Sequence, residues 1–164
     1  MMEIYILRHA TAVERGIPNY QNDGDRPLTA AGRQHMHAAA RSMLGLGLQF
    51  DLILSSPYRR AAETAHIVAG ALGGRVTCTD FLQPDGNIHN LIRQINERHP
   101  GCVLLVGHEP DLSRMISVLV TGGCDAAIEL KKGGLCKLTA EKLGFGRCAT
   151  LRWLLTPKQL RAMR

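Results

Sequence analysis

Short apolar runs recur along the first two thirds of the chain, and each is followed by a loop and a longer stretch with helical spacing. The runs Glu3–Leu7, Asp51–Ser55 and Cys102–Val106 have the length of buried strands, and Arg75–Thr79 is a weaker candidate. Cys102–Val106 is nearly all apolar, which is typical of a strand covered on both faces. The pattern therefore predicts four strands.

Four intervening stretches predict helices, namely Thr29–Gly45, Pro57–Leu72, Asn87–Arg98 and Asp111–Val120. Thr29 is a good N-cap, and Pro57 stands in a first turn, where proline is tolerated. Thr11–Asp25 contains Gly, Pro, Asn and Asp without periodicity, so we expect a loop directly after the first strand.

The last part of the chain has a different pattern. Ile128–Lys131 and Leu135–Thr139 flank two glycines and predict a hairpin, Thr150–Leu155 predicts another strand, and a short helix follows Pro157. Strand, loop and helix in repeated order indicate a three-layer α/β/α fold with a mostly parallel central sheet and antiparallel strands at one edge. We expect one domain over residues 1–164.

Composition excludes several classes of protein. The chain has 164 residues, 45% of them apolar and 21% charged, and no apolar stretch approaches the ~18 residues that span a bilayer. Its five cysteines are an odd set without Cys-x-x-Cys spacing, which predicts buried thiols in a reducing cytoplasm and no zinc site. We therefore expect a cytoplasmic protein with no membrane partner.

The net charge is +6, which fits nucleic acid or a small phosphorylated substrate equally well. Lys and Arg occur singly or in pairs, and aromatic residues make up only 4% of the chain. Because basic runs interleaved with aromatic residues are missing, we expect no nucleic-acid partner.

The residues that follow the predicted strands carry the candidate chemistry. The first strand ends at Arg8 and His9, the second leads into Arg59 and Arg60, and the fourth leads into His108. Ligands of open α/β sheets bind at the carboxyl ends of the strands, so these side chains should share one pocket. Arg59 and Arg60 point about 100° apart on a helix, which leaves Arg59 as the solvent-facing or rim residue.

This set of side chains suits a phosphoryl group. Arginine matches phosphate oxygens with a planar fork of donors, and neighbouring positive charge lowers the pKa of a histidine. A neutral imidazole of this kind can attack phosphorus and carry the phosphoryl group covalently. The arginines supply the positive charge, so we expect no metal and no cofactor.

Four motifs in chain order resemble the histidine phosphatase superfamily, which includes the phosphoglycerate mutases. Leu7–Ala10 resembles its Arg-His-Gly signature, Ser56–Ala65 its second arginine motif, and Val106–Pro110 its second histidine motif. Asp25–Arg33 is similar to the corresponding stretch of the SixA-type phosphohistidine phosphatases. The resemblance spans nearly the whole chain and implies a phosphoglycerate mutase-like fold.

The resemblance also implies roles for individual residues. His9 would be the nucleophile, Arg8 and Arg60 would bind the phosphoryl oxygens, and His108 would donate a further hydrogen bond to the transition state. Arg26 would reach the same pocket from its loop, although a loop-anchoring salt bridge is an equal alternative. We expect a monomer that acts on a phosphohistidine protein or a small phosphorylated substrate.

The sequence departs from the superfamily at two positions. Ala10 replaces the usual glycine, and no clear counterpart exists for the glutamate that protonates ester leaving groups. Asp85, after the third strand, is the candidate acid, although an ordinary turn before Gly86 is the alternative. An imidazole leaves without such help, so phosphohistidine is the predicted substrate. A phosphatase of small phosphate esters and a non-catalytic phosphate-binding module are the alternatives.

Overall fold

The computed structural model describes residues 1–163, so residue 164, the last of the predicted domain, lies outside the described residues. Six strands form one sheet in the order β3-β2-β4-β1-β5-β6. They are β1 (Met2–Arg8), β2 (Leu52–Ser55), β3 (Val76–Cys78), β4 (Cys102–Gly107), β5 (Leu135–Ala140) and β6 (Ala149–Leu155).

All of the predicted helices are present. They are α1 (Ala30–Gly45), α2 (Arg59–Leu72), α3 (Ile88–Arg98), α4 (Asp111–Thr121) and α5 (Pro157–Ala162), and short 3₁₀ turns cover Asp23–Asp25 and Asp80–Leu82. The side chain of Thr29 accepts a hydrogen bond from the Gly32 N–H at 2.9 Å, so it caps α1 as predicted. Helix α2 begins at Arg59, two residues beyond Pro57.

The sheet is mostly parallel. Strands β1, β2, β3 and β4 pair in parallel, whereas β5 runs antiparallel to β1 and β6 antiparallel to β5. Successive residues of β1 enter opposite cores: Ile4 and Ile6 pack with α3 and α4, and Tyr5 and Leu7 pack with α1 and α2. The predicted three-layer α/β/α class, with antiparallel strands at one edge, is confirmed.

The predicted hairpin around Gly133 and Gly134 is wrong. Ile128–Lys131 is irregular, and the antiparallel hairpin is formed by β5 and β6, with residues 141–148 between them. The reason is that the glycines bond to the end of β1, and Ile128–Lys131 does not pair with β5. The Gly133 N–H donates to the carbonyl oxygens of Arg8 (3.0 Å) and His9 (3.2 Å), and Gly133 itself has a φ of +76°.

The prediction of buried thiols holds for only part of the set. Cys136 lies in the core, but Cys78 and Cys124 are exposed, because one ends the edge strand β3 and the other lies in the loop after α4. Burial raises the pKa of the Cys136 thiol to about 12. None of the helices in residues 1–163 has the length and apolar character needed to cross a membrane.

Candidate active site

The carboxyl ends of β1, β2 and β4 open onto one cleft of about 430 Å³. In the sheet β4 lies between β1 and β2, with Gly107 opposite Arg8 and Val106 opposite Ser55. The cleft is lined by five of the predicted site residues, Arg8, His9, Arg26, Arg60 and His108, and by Ala12, Glu14, Arg15, Pro84, Glu109 and Lys132. The convergence expected from the strand ends is therefore present.

The orientation of the His9 ring is fixed by its backbone. Its Nδ1 lies 2.7 Å from the carbonyl oxygen of Ala10, and a carbonyl only accepts hydrogen bonds. In the neutral ring the proton therefore sits on Nδ1, and Nε2 carries the lone pair. The Arg60 Nε–H donates to this Nε2 at 3.3 Å. His9 thus presents an unprotonated ring nitrogen to the cleft.

Burial keeps both histidines neutral. The pKa of His9 is lowered to about 3, and burial is the largest cause. The hydrogen bond to Ala10 raises this pKa, whereas the charges of Arg60 and Arg8 lower it. Burial also lowers the pKa of His108 to about 3, with smaller contributions from His9 and Arg60. The direction expected from the sequence is correct, but burial outweighs the positive charge that the prediction named.

The His108 ring lies with its centroid 5.1 Å from that of His9. Its Nε2 is 2.8 Å from the Ser56 Oγ, which itself accepts from the Tyr58 N–H at 3.2 Å. The Ser56 hydroxyl hydrogen is then free to point at Nε2, which leaves the proton of a neutral His108 on Nδ1. Within residues 1–163 this buried Nδ1 has no hydrogen-bond partner.

Arg8 also has an unused donor. Its Nη1 donates to the carbonyl oxygen of Leu130 at 3.1 Å, whereas its buried Nε has no partner in the described part of the chain. Leaving a buried donor unpaired costs about 1–3 kcal/mol. Arg8 and His108 both line the cleft. An oxyanion bound there would supply an acceptor for the two unpaired donors, the Arg8 Nε–H and the His108 Nδ1–H.

Arg60 is 2% exposed and projects from the second position of α2 toward the cleft. Besides its contact with His9, its Nη1 donates to the Asp23 carbonyl oxygen at 2.7 Å and its Nη2 to the Asp23 carboxylate at 2.9 Å. The adjacent Arg59 is exposed and pairs with Glu63 at 2.9 Å. Arg60 faces the cleft and Arg59 faces solvent, as the 100° rule predicts.

Arg26 combines the two alternatives that the sequence left open. It lines the cleft, and its Nη2 lies 2.7 Å from the Asp23 carboxylate. Its Nη1 also donates to the carbonyl oxygen of Val13 at 2.6 Å, which anchors the loop. Burial opposes ionisation of Asp23, but hydrogen bonds from Arg26 and Arg60 outweigh it and lower the Asp23 pKa to about 2.

Asp85 is not brought to the cleft. The residue is exposed, has a φ of +62°, and donates its N–H to the Asp111 carboxylate at 2.8 Å. The following Gly86 is packed so tightly that a Cβ there would lie 2.3 Å from the Phe81 carbonyl oxygen. This tight turn, and not a catalytic position, accounts for the Asp-Gly pair, so the predicted acid lies outside the site.

Sequence reasoning missed five charged residues of the site, namely Glu14, Arg15, Asp23, Glu109 and Lys132. For Glu109 the sequence contained a usable signal, since it lies four residues before Ser113, a spacing that brings side chains together at a helix. Its carboxylate accepts from the Ser113 N–H at 3.0 Å and from the Ser113 hydroxyl in the first turn of α4. The others lie in loops or, for Asp23, in a single 3₁₀ turn, where no periodicity indicates the direction of a side chain.

Two neutral histidines lie among arginines at the carboxyl ends of parallel strands, which is the arrangement that the motifs of the histidine phosphatase superfamily imply. Comparison with known proteins supports this class directly. The family model described as histidine phosphatase superfamily (branch 1) matches residues 4–84. An uncharacterized protein of Picosynechococcus sp. is 38% identical over 141 residues, which cover 84% of each chain. The chain belongs to the histidine phosphatase superfamily.

The comparisons extend over the whole chain in two further cases. The phosphohistidine phosphatase SixA of Escherichia coli K12 is 22% identical over 165 residues, covering 98% of this chain and 97% of its own. A structure of the protein histidine phosphatase SixA complexed with tungstate matches with a TM-score of 0.83 at 22% identity, over 97% and 99% of the two chains. That likeness shows the shared fold, and the superfamily match supports a phosphatase.

Proposed function

We propose that the protein is a phosphohistidine phosphatase that forms a covalent intermediate on His9. The observation that carries the proposal is the His9 Nε2, an unprotonated nitrogen in the cleft whose ring orientation is fixed by the Ala10 carbonyl. Phosphohistidine proteins of signalling or phosphotransfer systems are the substrates that we infer, and no cofactor is needed for the steps below.

In the first step the Nε2 lone pair attacks phosphorus and forms a P–N bond. The P–N bond to the substrate imidazole breaks, its electron pair goes to the leaving imidazole, and this ring takes a proton from solvent. In the second step water attacks the phosphorus, the electron pair of the P–N bond returns to the His9 Nε2, one proton of the water is released to solvent, and phosphate leaves. In the structure the Arg60 Nε–H donates to the His9 Nε2. During transfer it donates instead to a phosphoryl oxygen, and the unpaired donors of Arg8 and His108 also bind phosphoryl oxygens.

The arrangement of carboxylates supports phosphohistidine over an ester. Alkoxide leaving groups need a proton donor, whereas imidazole leaves without one. Asp85 lies outside the cleft, and the Glu109 carboxylate is bonded to Ser113. Of the carboxylates in the cleft wall, only Glu14 makes no ion pair or hydrogen bond within residues 1–163, and its side chain is exposed.

The direct test is the chemistry of His9. After mixing with phosphoramidate and quenching in alkali, mass spectrometry should find phosphate on His9 of the wild-type protein. His9→Ala should lower turnover by on the order of 10³-fold or more, since the nucleophile is lost. His66→Ala, an exposed histidine on α2, should retain full activity. Turnover by His9→Ala within tenfold of wild type would contradict the proposal.

Substrate class needs a separate test. A phosphohistidine peptide, a phosphoserine peptide and glycerol phosphate should be compared by kcat/KM, and we expect the phosphohistidine peptide to be strongly preferred. Glu14→Gln should leave that preference unchanged. If the two esters were hydrolysed faster than the phosphohistidine peptide, and Glu14→Gln lost this ester hydrolysis, the protein would instead be an ester phosphatase with Glu14 as the acid. Binding of phosphate without any turnover would identify a phosphate-binding module.

A further inference from the structure

A second pocket lies beside the phosphoryl cleft. It has a volume of about 180 Å³, about six times the ~30 Å³ that a water molecule occupies in the liquid. Its wall is formed by Ala10, Thr11, His35, Met36, Ala39, Lys132, Gly133, Pro157 and Arg161. None of these residues is acidic, and three of them carry basic side chains.

The pocket is directly connected to the nucleophile through the backbone. Ala10 follows His9 in sequence, so their Cα atoms are about 3.8 Å apart. Gly133 bonds through its N–H to the His9 carbonyl oxygen at 3.2 Å. Lys132 stands in the wall of both cavities. The cleft and the pocket therefore share one wall residue, and a ligand that spans both would pass Lys132.

The pocket combines a buried apolar floor with a basic rim. Met36 and Ala39 on α1 are 1% and 2% exposed, whereas His35 and Lys132 are exposed and Arg161 is half-buried. Lys132 and Arg161 form no ion pair with any carboxylate of residues 1–163. Their charges are thus available to an anionic group that enters over the apolar floor.

We propose that this pocket, the Arg161 pocket, binds a second anionic group of the phosphorylated substrate, a carboxylate or phosphate separate from the phosphoryl group that is transferred. The inference rests on the proposed phosphatase function and adds substrate specificity to it. The group comes either from an acidic side chain of a phosphoprotein or from a second anionic group of a small molecule, and both present the same chemistry to Arg161.

The experiment measures kcat/KM for substrates that differ by one charge. The first series consists of phosphohistidine peptides that each carry one glutamate, placed at one of the three positions before or after the phosphohistidine. Each peptide is compared with a version that has glutamine at the same position. A second pair is phenyl phosphate with and without a ring carboxylate. The protein variants are Arg161→Gln and, as the matched control on the same helix, Lys158→Gln, whose exposed side chain lies outside the pocket.

We expect Arg161→Gln to lower kcat/KM for the best glutamate peptide, or for the carboxylated aryl phosphate, by about threefold to fivefold, through a higher KM. Its activity on the uncharged partner substrate should stay unchanged, and Lys158→Gln should alter neither. A response to the peptides alone identifies a protein side chain as the source, and a response to the aryl pair alone identifies a small molecule.

The proposal is overturned if Arg161→Gln leaves the ratio between charged and uncharged substrates unchanged in every pair. It is also overturned if Lys158→Gln reduces that ratio equally, because net charge would then explain the effect. Failure of the proposed function has a different signature: a wild-type protein that hydrolyses aryl phosphates but no phosphohistidine peptide. The aryl pair would still test the Arg161 pocket in that case.

Discussion

Asp23 is the acidic residue on which three of the four arginines of the cleft converge. Its carboxylate lies 3.0 Å from Arg15, 2.7 Å from Arg26 and 2.9 Å from Arg60. Arg60 in turn donates to the His9 Nε2. With its pKa lowered to about 2, Asp23 remains ionised throughout the range in which enzymes are assayed. We infer that it is a positioning residue that holds Arg60 against the nucleophile.

Asp23→Asn removes the charge that orients these guanidinium groups but keeps the size of the side chain. We expect kcat/KM for phosphoramidate to fall about tenfold, chiefly in kcat, which corresponds to about 1.4 kcal/mol of transition-state stabilisation. The control is Asp25→Asn, an exposed neighbour in the same 3₁₀ turn. Activity of the two variants within twofold of each other would refute the positioning role.

The same substitution has a pH signature in stability. The Asp23 pKa is lower in the folded protein than the usual ~3.9, so ionisation of Asp23 stabilises the fold above about pH 4 and this contribution is lost as the pH falls toward 2. The difference in Tm between wild type and Asp23→Asn should therefore be largest above pH 4 and shrink below it.

The sequence motifs predicted the site residues that they contain, but they did not predict the site residues that lie in loops outside them. His9 and His108 directly follow β1 and β4, and Arg60 lies in the first turn of the helix after β2, so the sheet order brings the three together. Asp23 lies in a loop without periodicity, and its position depends on contacts with arginines up to 37 residues away in sequence. Local pattern carries no information about such pairings.

At the scale of elements, the segment before β5 fixes the end of β1. Leu130 accepts from the Arg8 side chain, the Gly133 N–H donates to the carbonyl oxygens of Arg8 and His9, and the Gly134 carbonyl accepts from the Arg8 N–H at 3.2 Å. The alternating apolar residues Ile128 and Leu130 suggested a strand, but the buried Leu130 packs into the core from irregular backbone. An alternating apolar pattern indicates which side chains are buried, but it does not identify the hydrogen-bond partners of the backbone.

Gly133→Ala tests whether this segment positions the nucleophile. Gly133 has a φ of +76°, which costs a residue with a Cβ about 1–2 kcal/mol, while the new Cβ itself would meet only ordinary contacts at 3.6 Å. Relief of the strain should shift the peptide that bonds to Arg8 and His9, and we expect kcat for phosphoramidate to fall about tenfold.

Gly47→Ala is the matched control, since Gly47 has a φ of +71° and open space around it but lies after α1, away from the cleft. Both variants should lose similar stability in urea unfolding, whereas only Gly133→Ala should lose activity. Equal loss of activity in the two variants would show that the effect is general destabilisation.

At the scale of the whole molecule, the two neutral histidines connect the site to the stability of the fold. His9 is 7% exposed and His108 is 3% exposed, and the pKa of each is lowered to about 3 from the ordinary value near 6.5. The burial that keeps these two histidines neutral therefore makes the fold sensitive to acid, because below pH 6.5 the unfolded chain binds protons at these rings and the folded chain does not.

Below about pH 6.5 each of these histidines should lower the free energy of unfolding by up to about 1.4 kcal/mol per pH unit, until the pH approaches 3. Urea unfolding in phosphate-free buffers from pH 7.5 to 4.5 measures this slope. His108→Gln should make it shallower by up to that amount. The change in slope separates loss of a titrating group from loss of packing, which would lower stability equally at every pH. An unchanged slope in His108→Gln would mean that burial does not lower the pKa of this ring in the folded protein, which would contradict the prediction.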